Sequence, residues 1–337
     1  MLKLKKRIAT LGSHSALQIL KGAQAEGFET IAICERKRMQ PYQSFGVADE
    51  ILPLNSFRDF CQIEKELQAK EAIIIPHGSF VEYLGSKEIK KMRIPHFGNR
   101  KILDWESDRA KQVDWLTRAK IKMPRIFARP AEIDRPVIVK FHGARGGRGY
   151  FLANSEEEFE VKWRERGKEE NYVIQEYIVG VPIYVHYFYS PLTKELEILG
   201  FDKRYESNAD SIGRVAAGDQ ITAKLATSYT IVGNIPLVVR ESLLPYFFQI
   251  GEQVIKVSQK LEPPGLFGPF CLEGVVTSDL ILTVFEISAR IVAGTNPFVA
   301  GSPYTFLKYN EPMSTGRRIA REIKLALEQA KLEQVLG

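Results

Sequence analysis

The feature that most constrains this chain is the rhythm of its first hundred residues. Short apolar runs at 8–11, 30–34 and 72–75 alternate with helix-like stretches at 15–26 and 56–69, the first of them stopped by Gly27. Strands separated by helices need crossover connections, so the segment reads as an open parallel sheet, an α/β N-terminal unit. In such sheets ligands gather outside the carboxyl ends of the strands. Here those ends are Gly12-Ser13-His14-Ser15 and Pro76-His77-Gly78-Ser79.

Beyond residue 98 the texture changes. A charged helix is expected over 105–120, broken by Met123-Pro124, and strands follow at 137–141, 150–152, 172–178, 183–189 and 196–201, interrupted by one helix at 155–164. This is an α+β pattern with antiparallel character. A helix at 241–260, a hairpin at 270–289 and a closing helix at 314–332 complete the chain. Its 337 residues suit two or three packed units. We expect them at 1–99, 100–190 and 191–337.

Charge and cysteine usage narrow the function classes. Lys plus Arg is 47 and Asp plus Glu is 41, a surplus of +6 that suits anionic ligands and is too thinly spread for nucleic acid. No uninterrupted apolar run reaches the roughly 18 residues of a membrane span, so no membrane partner is expected. Cys34, Cys61 and Cys271 lie in apolar contexts without a CxxC pair and read as buried thiols, not as a disulfide framework or a zinc site. The first residues lead straight into a strand without an apolar signal region, which points to the cytoplasm.

Two motifs carry chemistry. Residues 137–152 hold four glycines in a seven-residue loop, 143–149, between strand-like flanks, with Lys140, Arg145 and Arg148 around it. Such a loop exposes several N–H groups to one anion, yet no Gly-Lys-Ser/Thr follows and the next element is a strand, so it is neither a Walker loop nor a dinucleotide fingerprint. A flexible hairpin tip would need only the glycines; the three cations favour a flap over phosphates. The second motif is the 270–289 hairpin. With a turn at Ser278-Asp279, Glu273 opposes Val284 and Glu286 lies diagonally across on the same face, roughly 7 to 8 Å away. Two such carboxylates suit a hard divalent cation completed by phosphate oxygens. Ser288 and Arg290 continue that face, and Phe285, Ile287 and Ala289 point into a core. The register is the weak link, since a shift of one residue separates the glutamates.

These parts resemble an ATP-grasp ligase. The nearer similarity is to the archaeal formate-dependent enzymes of purine synthesis that make 5-formaminoimidazole-4-carboxamide ribonucleotide. It is carried by Gly-Ser-His-Ser-Ala-Leu at 12–17, Pro-His-Gly-Ser-Phe-Val-Glu-Tyr at 76–83, Phe-Gly-Asn-Arg at 97–100, the loop at 137–152 and Gln-Glu-Tyr-Ile at 175–178. Val-Gly-Asn-Ile-Pro at 232–236 and Phe-Glu-Ile-Ser-Ala-Arg-Ile-Val-Ala-Gly-Thr-Asn at 285–296 extend it. The resemblance implies a fold of an N-terminal open parallel sheet plus α+β ATP-grasp domains. It implies that formate is phosphorylated by ATP and that the amine of 5-aminoimidazole-4-carboxamide ribonucleotide attacks the formyl phosphate.

By the same resemblance, His14, Ser79 and Asn234 contact the ribonucleotide. Lys140, Gly146, Gly147, Glu176, Tyr177, Ile178, Val179 and Glu206 contact ATP, Glu273 and Glu286 hold magnesium or manganese, and Arg290 stabilises transferring charge. Ser288 departs from the wider pattern, standing where many ATP-grasp members place a metal-binding Asn. A homo-oligomer is also implied. The competing expectations are a ligase for a larger carboxylic acid and a nucleotide-binding relative without turnover.

Overall fold

The computed structural model describes residues 5–141, 150–165, 172–223 and 230–337. The first four strands, β1 (Arg7–Leu11), β2 (Glu29–Glu35), β3 (Glu50–Leu54) and β4 (Ala72–Ile74), form the parallel sheet in the order β3-β2-β1-β4. Burial on both faces explains why β1 and β2 are nearly continuous runs of apolar residues. β3 carries Pro53 and lies at the sheet edge, where a missing N–H costs least.

The charged helix of the sequence reading is two helices, Ile102–Ser107 and Arg109–Arg118. Asp108 stands between them in an extended conformation, and its carboxylate accepts from the N–H groups of Ala110 and Lys111 at 2.9 and 3.1 Å. An N-cap therefore ends one helix and starts the next. Trp115 is fully buried beneath the second, its Nε1 donating to Val254 O at 3.0 Å.

Two antiparallel sheets follow. β5 (Ile126–Phe127), β6 (Val137–Phe141), β7 (Tyr150–Ala153) and β8 (Tyr172–Glu176) form a lid in the order β5-β8-β6-β7, with its own core around Val139, Phe141, Phe151 and Phe159. β9 (Val181–Tyr189), β10 (Leu196–Glu206), β11 (Ile231–Leu237), β12 (Gly268–Val276) and β13 (Leu282–Ser288) form the central sheet, ordered β11-β10-β9-β12-β13. One face of it packs on the helices Arg109–Arg118 and Leu244–Leu261 through Val185, Tyr187, Phe201, Phe247, Phe270 and Leu272. Each such side chain stabilises by roughly 1.5–3 kcal/mol when fully buried. Tyr187 and Phe247 are core residues here.

The chain ends return to the first sheet. The helix Thr315–Glu328 crosses Ala16–Ala25 so closely that a Cβ on Gly22 would meet Arg317 N at 2.2 Å, and one on Gly316 would meet Gln18 O at 2.3 Å. Arg317 and Arg321 both pair with Glu26, at 2.7 and 2.6 Å. Of the three cysteines Cys34 and Cys271 are buried, whereas Cys61 is exposed. It occupies a solvent-facing position of the 3₁₀ turn Phe57–Ile63, whose Phe57 and Phe60 supply the buried contacts. Among the described residues no helix is long and apolar enough to cross a membrane.

Candidate active site

The ends of β1 and β4 build one wall of a cleft. The fully buried His77 accepts from Ser79 N at its Nδ1 (3.2 Å), so its proton is on Nε2, which donates to Leu11 O at 2.9 Å. Burial pushes its pKa down to about 4, opposed by the Leu11 carbonyl, and the ring is neutral. His14 stacks on it, ring centroids 5.4 Å apart and 4° from parallel. His14 holds a left-handed backbone (φ 55°), a conformation that non-glycine residues rarely adopt. Gly78 leaves room for this ring, since a Cβ there would stand 2.8 Å from His14 Nε2. Solvent reaches His14, yet the surrounding protein, then the neighbouring His77 ring and the charges of Arg290 and Arg204, push its pKa well down. Ser79 is buried beside it.

The β12–β13 hairpin forms the facing wall, and its register differs from expectation. The turn is longer, with Thr277 N donating to Ile281 O at 3.1 Å and Val276 opposite Leu282. A bulge inserts Phe285 as an extra residue opposite the Glu273–Gly274 step. The two shifts together bring Glu286 directly opposite Glu273, closer than the diagonal arrangement. The bulge also turns Phe285 away from the core: it packs edge-on to Tyr184, at 6.5 Å, on the cleft side. Ile287 and Ala289 do join the main core. Burial, then the Glu286 charge, pushes the Glu273 pKa up to about 7, against Arg204, Arg290 and the Ser288 hydroxyl, which donates to Glu273 Oε1 at 3.2 Å. A facing carboxylate pair held at this cost is the donor set a divalent cation relieves. Among the described residues no cluster of three or more His, Cys, Asp or Glu side chains could hold a metal ion. Two carboxylates completed by phosphate and water fit magnesium, which keeps several non-protein ligands.

Asn234, on β11, donates to Asp202 Oδ2 at 2.7 Å. The fully buried Asp202 also meets His186 Nε2 at 2.7 Å and Arg204 Nε at 3.7 Å. Arg204 lies 3.4 Å from Glu273 Oε2 and 4.1 Å over the Tyr184 ring. Arg290 pairs with the buried Glu106 at 2.9 Å, and Glu106 also accepts from Ala289 N at 2.8 Å. Ile291 bridges His77 in parallel pairing, and Asn296 donates to His14 O at 3.2 Å, so the hairpin wall is tied to the first wall.

On the lid, Lys140 donates to Gln175 Oε1 at 2.9 Å and stands 5.7 Å over the Phe285 ring. Burial and then Arg109 push its pKa down to about 8, opposed by Glu286. Arg109 lies 4.0 Å from Glu286. Glu176 pairs with Arg135 at 3.1 Å and accepts from Arg125 N at 3.1 Å, so its side chain braces the lid's edge. Tyr177, Ile178 and Val179 form the extended link to β9, with Tyr177 and Val179 exposed. Glu206, at the end of β10, lies near enough to Tyr184 to raise that phenol's pKa. Gly146, Gly147, Arg145 and Arg148 lie outside the described residues.

The structure thus brings His14, Ser79, Asn234, Arg290, Glu273, Glu286 and Lys140 around one cleft. The sequence reading passed over Arg204, Asp202, His186, Glu106 and Arg109. A further cation, Arg38, donates to Ser13 Oγ at 3.1 Å beside His14. Only the alternation of β10, which sets Asp202 and Arg204 on one face, carried a signal. A concavity of about 530 Å³ lies elsewhere, among Arg7, Glu29, Asp49 and Glu50, away from these groups.

An antiparallel lid bearing a lysine, closing over a carboxylate hairpin beside an open parallel sheet, is the architecture of the ATP-grasp ligases. The same fold occurs in an ADP complex of N5-carboxyaminoimidazole ribonucleotide synthetase, 13% identical, with a TM-score of 0.68 over 96% of this chain and 77% of that one. Residues 8–127 match a family described as a protein of unknown function (DUF1246), and residues 151–337 a domain of unknown function (DUF1297). A crystal structure of an IMP biosynthesis protein PurP from Thermococcus kodakaraensis superposes with a TM-score of 0.77, at 34% identity, covering 98% of this chain and 100% of that one. The 5-formaminoimidazole-4-carboxamide-1-(beta)-D-ribofuranosyl 5'-monophosphate synthetase of Pyrococcus abyssi is 55% identical over all of both chains. The chain belongs to this synthetase family.

Proposed function

We infer that the protein is an ATP-grasp carbon–nitrogen ligase that formylates the amine of 5-aminoimidazole-4-carboxamide ribonucleotide, using ATP and formate, in IMP biosynthesis. The observation that carries this is the meeting of two unlike walls in one cleft. One holds neutral, stacked histidines suited to a heteroaromatic base; the other holds a carboxylate pair suited to metal-bound phosphate.

Formate resists amines because it is anionic and lacks a leaving group. A formate oxygen attacks the γ-phosphorus of ATP, and the bond to ADP breaks with its electron pair on ADP. The amine then attacks the formyl carbon, phosphate departs with the electrons of the carbon–oxygen bond, and the amine loses a proton. Magnesium, with manganese as its substitute, supplies charge neutralisation when held by Glu273 and Glu286. Lys140 and backbone groups at Gly146 and Gly147 take ATP phosphates. Glu176, Tyr177, Ile178 and Val179 line the adenine side, and Glu206 the ribose. Arg290, braced by Glu106, steadies the transferring phosphoryl group.

His14, Ser79 and Asn234 orient the ribonucleotide. Asn234 spends an N–H on Asp202, which leaves its carbonyl oxygen to accept from a ligand amine or amide. Neutral His14 can accept a proton without first losing one. Holding amine and acyl phosphate together is worth far more than either contact alone. A cytoplasmic, self-associating enzyme is the setting this reading takes, checked by cell fractionation and light scattering. The deciding assay follows ADP release as each substrate is omitted. Release that requires both formate and the ribonucleotide is expected, and release unchanged without formate refutes the reading.

A further inference from the structure

The cations of the cleft sort into two pairs around the two glutamates. Lys140, on the lid, and Arg109 stand on the Glu286 side. Arg204 and Arg290 stand on the Glu273 side. Arg204 reaches Glu273 at 3.4 Å, and it sits opposite Asn234 in the β10–β11 register. Arg290 follows Ser288, whose hydroxyl bonds Glu273, and it precedes Ile291, which pairs with His77 beneath His14. The second pair therefore spans the gap between the metal carboxylates and the ribonucleotide residues.

Both guanidiniums are held from behind. Glu106 grips Arg290, while Asp202 and the Tyr184 ring flank Arg204. Each is mostly buried, with side-chain exposures of 15% and 12%, and each keeps a buried Nε–H without a hydrogen-bond partner. Those Nε–H groups are enclosed by protein, Arg204's toward Asp202 at 3.7 Å, so it is the terminal nitrogens of two rigidly held cations that are left to meet an anion. The geometry points to a clamp made by Arg204 and Arg290 for the one-carbon carboxylate, formate, and for the acyl phosphate formed from it. The inference rests on the ligase reading above and adds where its smallest substrate sits.

The placement suits the reaction order. Polyphosphate enters on the Lys140 side, the carboxylate waits across Glu273, and the amine lies beyond it at His14. A phosphoryl group passed toward the carboxylate thus leaves the formyl carbon facing the amine. Electrostatics agree, since the same two guanidiniums lower the proton affinity of both His14 and Glu273.

The test is steady-state kinetics of the full-length enzyme with magnesium, ATP and ribonucleotide, comparing Arg204→Gln and Arg204→Lys with wild type. Losing one charged hydrogen bond to formate should raise formate KM about tenfold to a hundredfold. The KM values for ATP and ribonucleotide should stay within about twofold, and Arg204→Lys should recover part of the loss. A formate KM within about twofold of wild type in Arg204→Lys, with kcat lowered or ribonucleotide KM raised, overturns the clamp. The lysine variant decides alone if the glutamine variant does not fold. Wild-type ADP release that ignores formate would defeat the ligase reading and the clamp together; formate-dependent wild type with an unaltered formate KM in the variants defeats the clamp only.

Discussion

Gly78→Ala separates the ribonucleotide side of the cleft from everything else. The new methyl would stand 2.8 Å from His14 Nε2 and 3.0 Å from Cδ2. Ordinary contact needs about 3.5 Å, so the ring must retreat by roughly 0.7 Å from its place on His77. Gly78 is not among the residues with a left-handed backbone, so alanine fits the main chain, and the stiffer unfolded chain contributes about 0.4–1 kcal/mol toward stability. His14 is solvent-accessible, so displacing its ring leaves no cavity. The expected result is a melting temperature unchanged or slightly raised, with kcat/KM for the ribonucleotide down about tenfold to a hundredfold, since a misplacement near 1 Å can cost about a hundredfold. ATP and formate KM should hold. Thermal melts beside three-substrate kinetics decide it. Unaltered ribonucleotide kinetics would remove His14 from the binding wall, and a uniform loss for all three substrates with a fallen melting temperature would mean that Gly78 is simply structural.

Three other outcomes follow from the same geometry. Glu286→Gln removes one of two facing carboxylates; magnesium required for half-maximal ADP formation should rise more than about tenfold, with little change in urea stability because this side chain is 40% exposed. Lys140 holds its proton only to about pH 8, so ATP KM should climb from pH 7.5 to 9, and Lys140→Arg, charged throughout, should flatten that climb. His77 and His96 are buried with pKa values pushed down to about 4 and about 3. Between those values and the unfolded value near 6.5 the unfolded chain binds more protons, so this stability is intact above pH 6.5 and is lost as pH falls. For His77 the loss is on the order of 3 kcal/mol by pH 4, and urea midpoints that do not fall between pH 7 and 5 would contradict it.

What was legible in the sequence was what periodicity can carry. The two-residue period put Glu273 and Glu286 on one face, and the alternation of apolar runs gave β1, β2 and β4. Two edge strands were passed over for a shared reason: β3 holds Pro53 and β11 holds Gly233 and Pro236, and both weaken the strand signature where neighbours on one side are missing. The Phe285 bulge has no local mark, and with it went the register. Glu106 had no local mark and Arg204 only the alternation of its strand, for another reason. Each matters through a partner far along the chain, Glu273 and Arg290, and only folding makes those pairs.

The two walls of the cleft are bound to each other by the His77–Ile291 bridge, the Asn296–His14 bond and the crossing of the first and last long helices. The lid, by contrast, pairs no strand with either other sheet among the described residues and joins the rest through the chain near Arg125 and Tyr177. Ordering costs are therefore unequally shared. On the function proposed above, a ribonucleotide would meet walls whose freedom was spent in folding, whereas ATP would have to settle a sheet with few restraints of its own. Calorimetry should find the nucleotide's association entropy the more unfavourable, and heating should loosen its grip on the enzyme first.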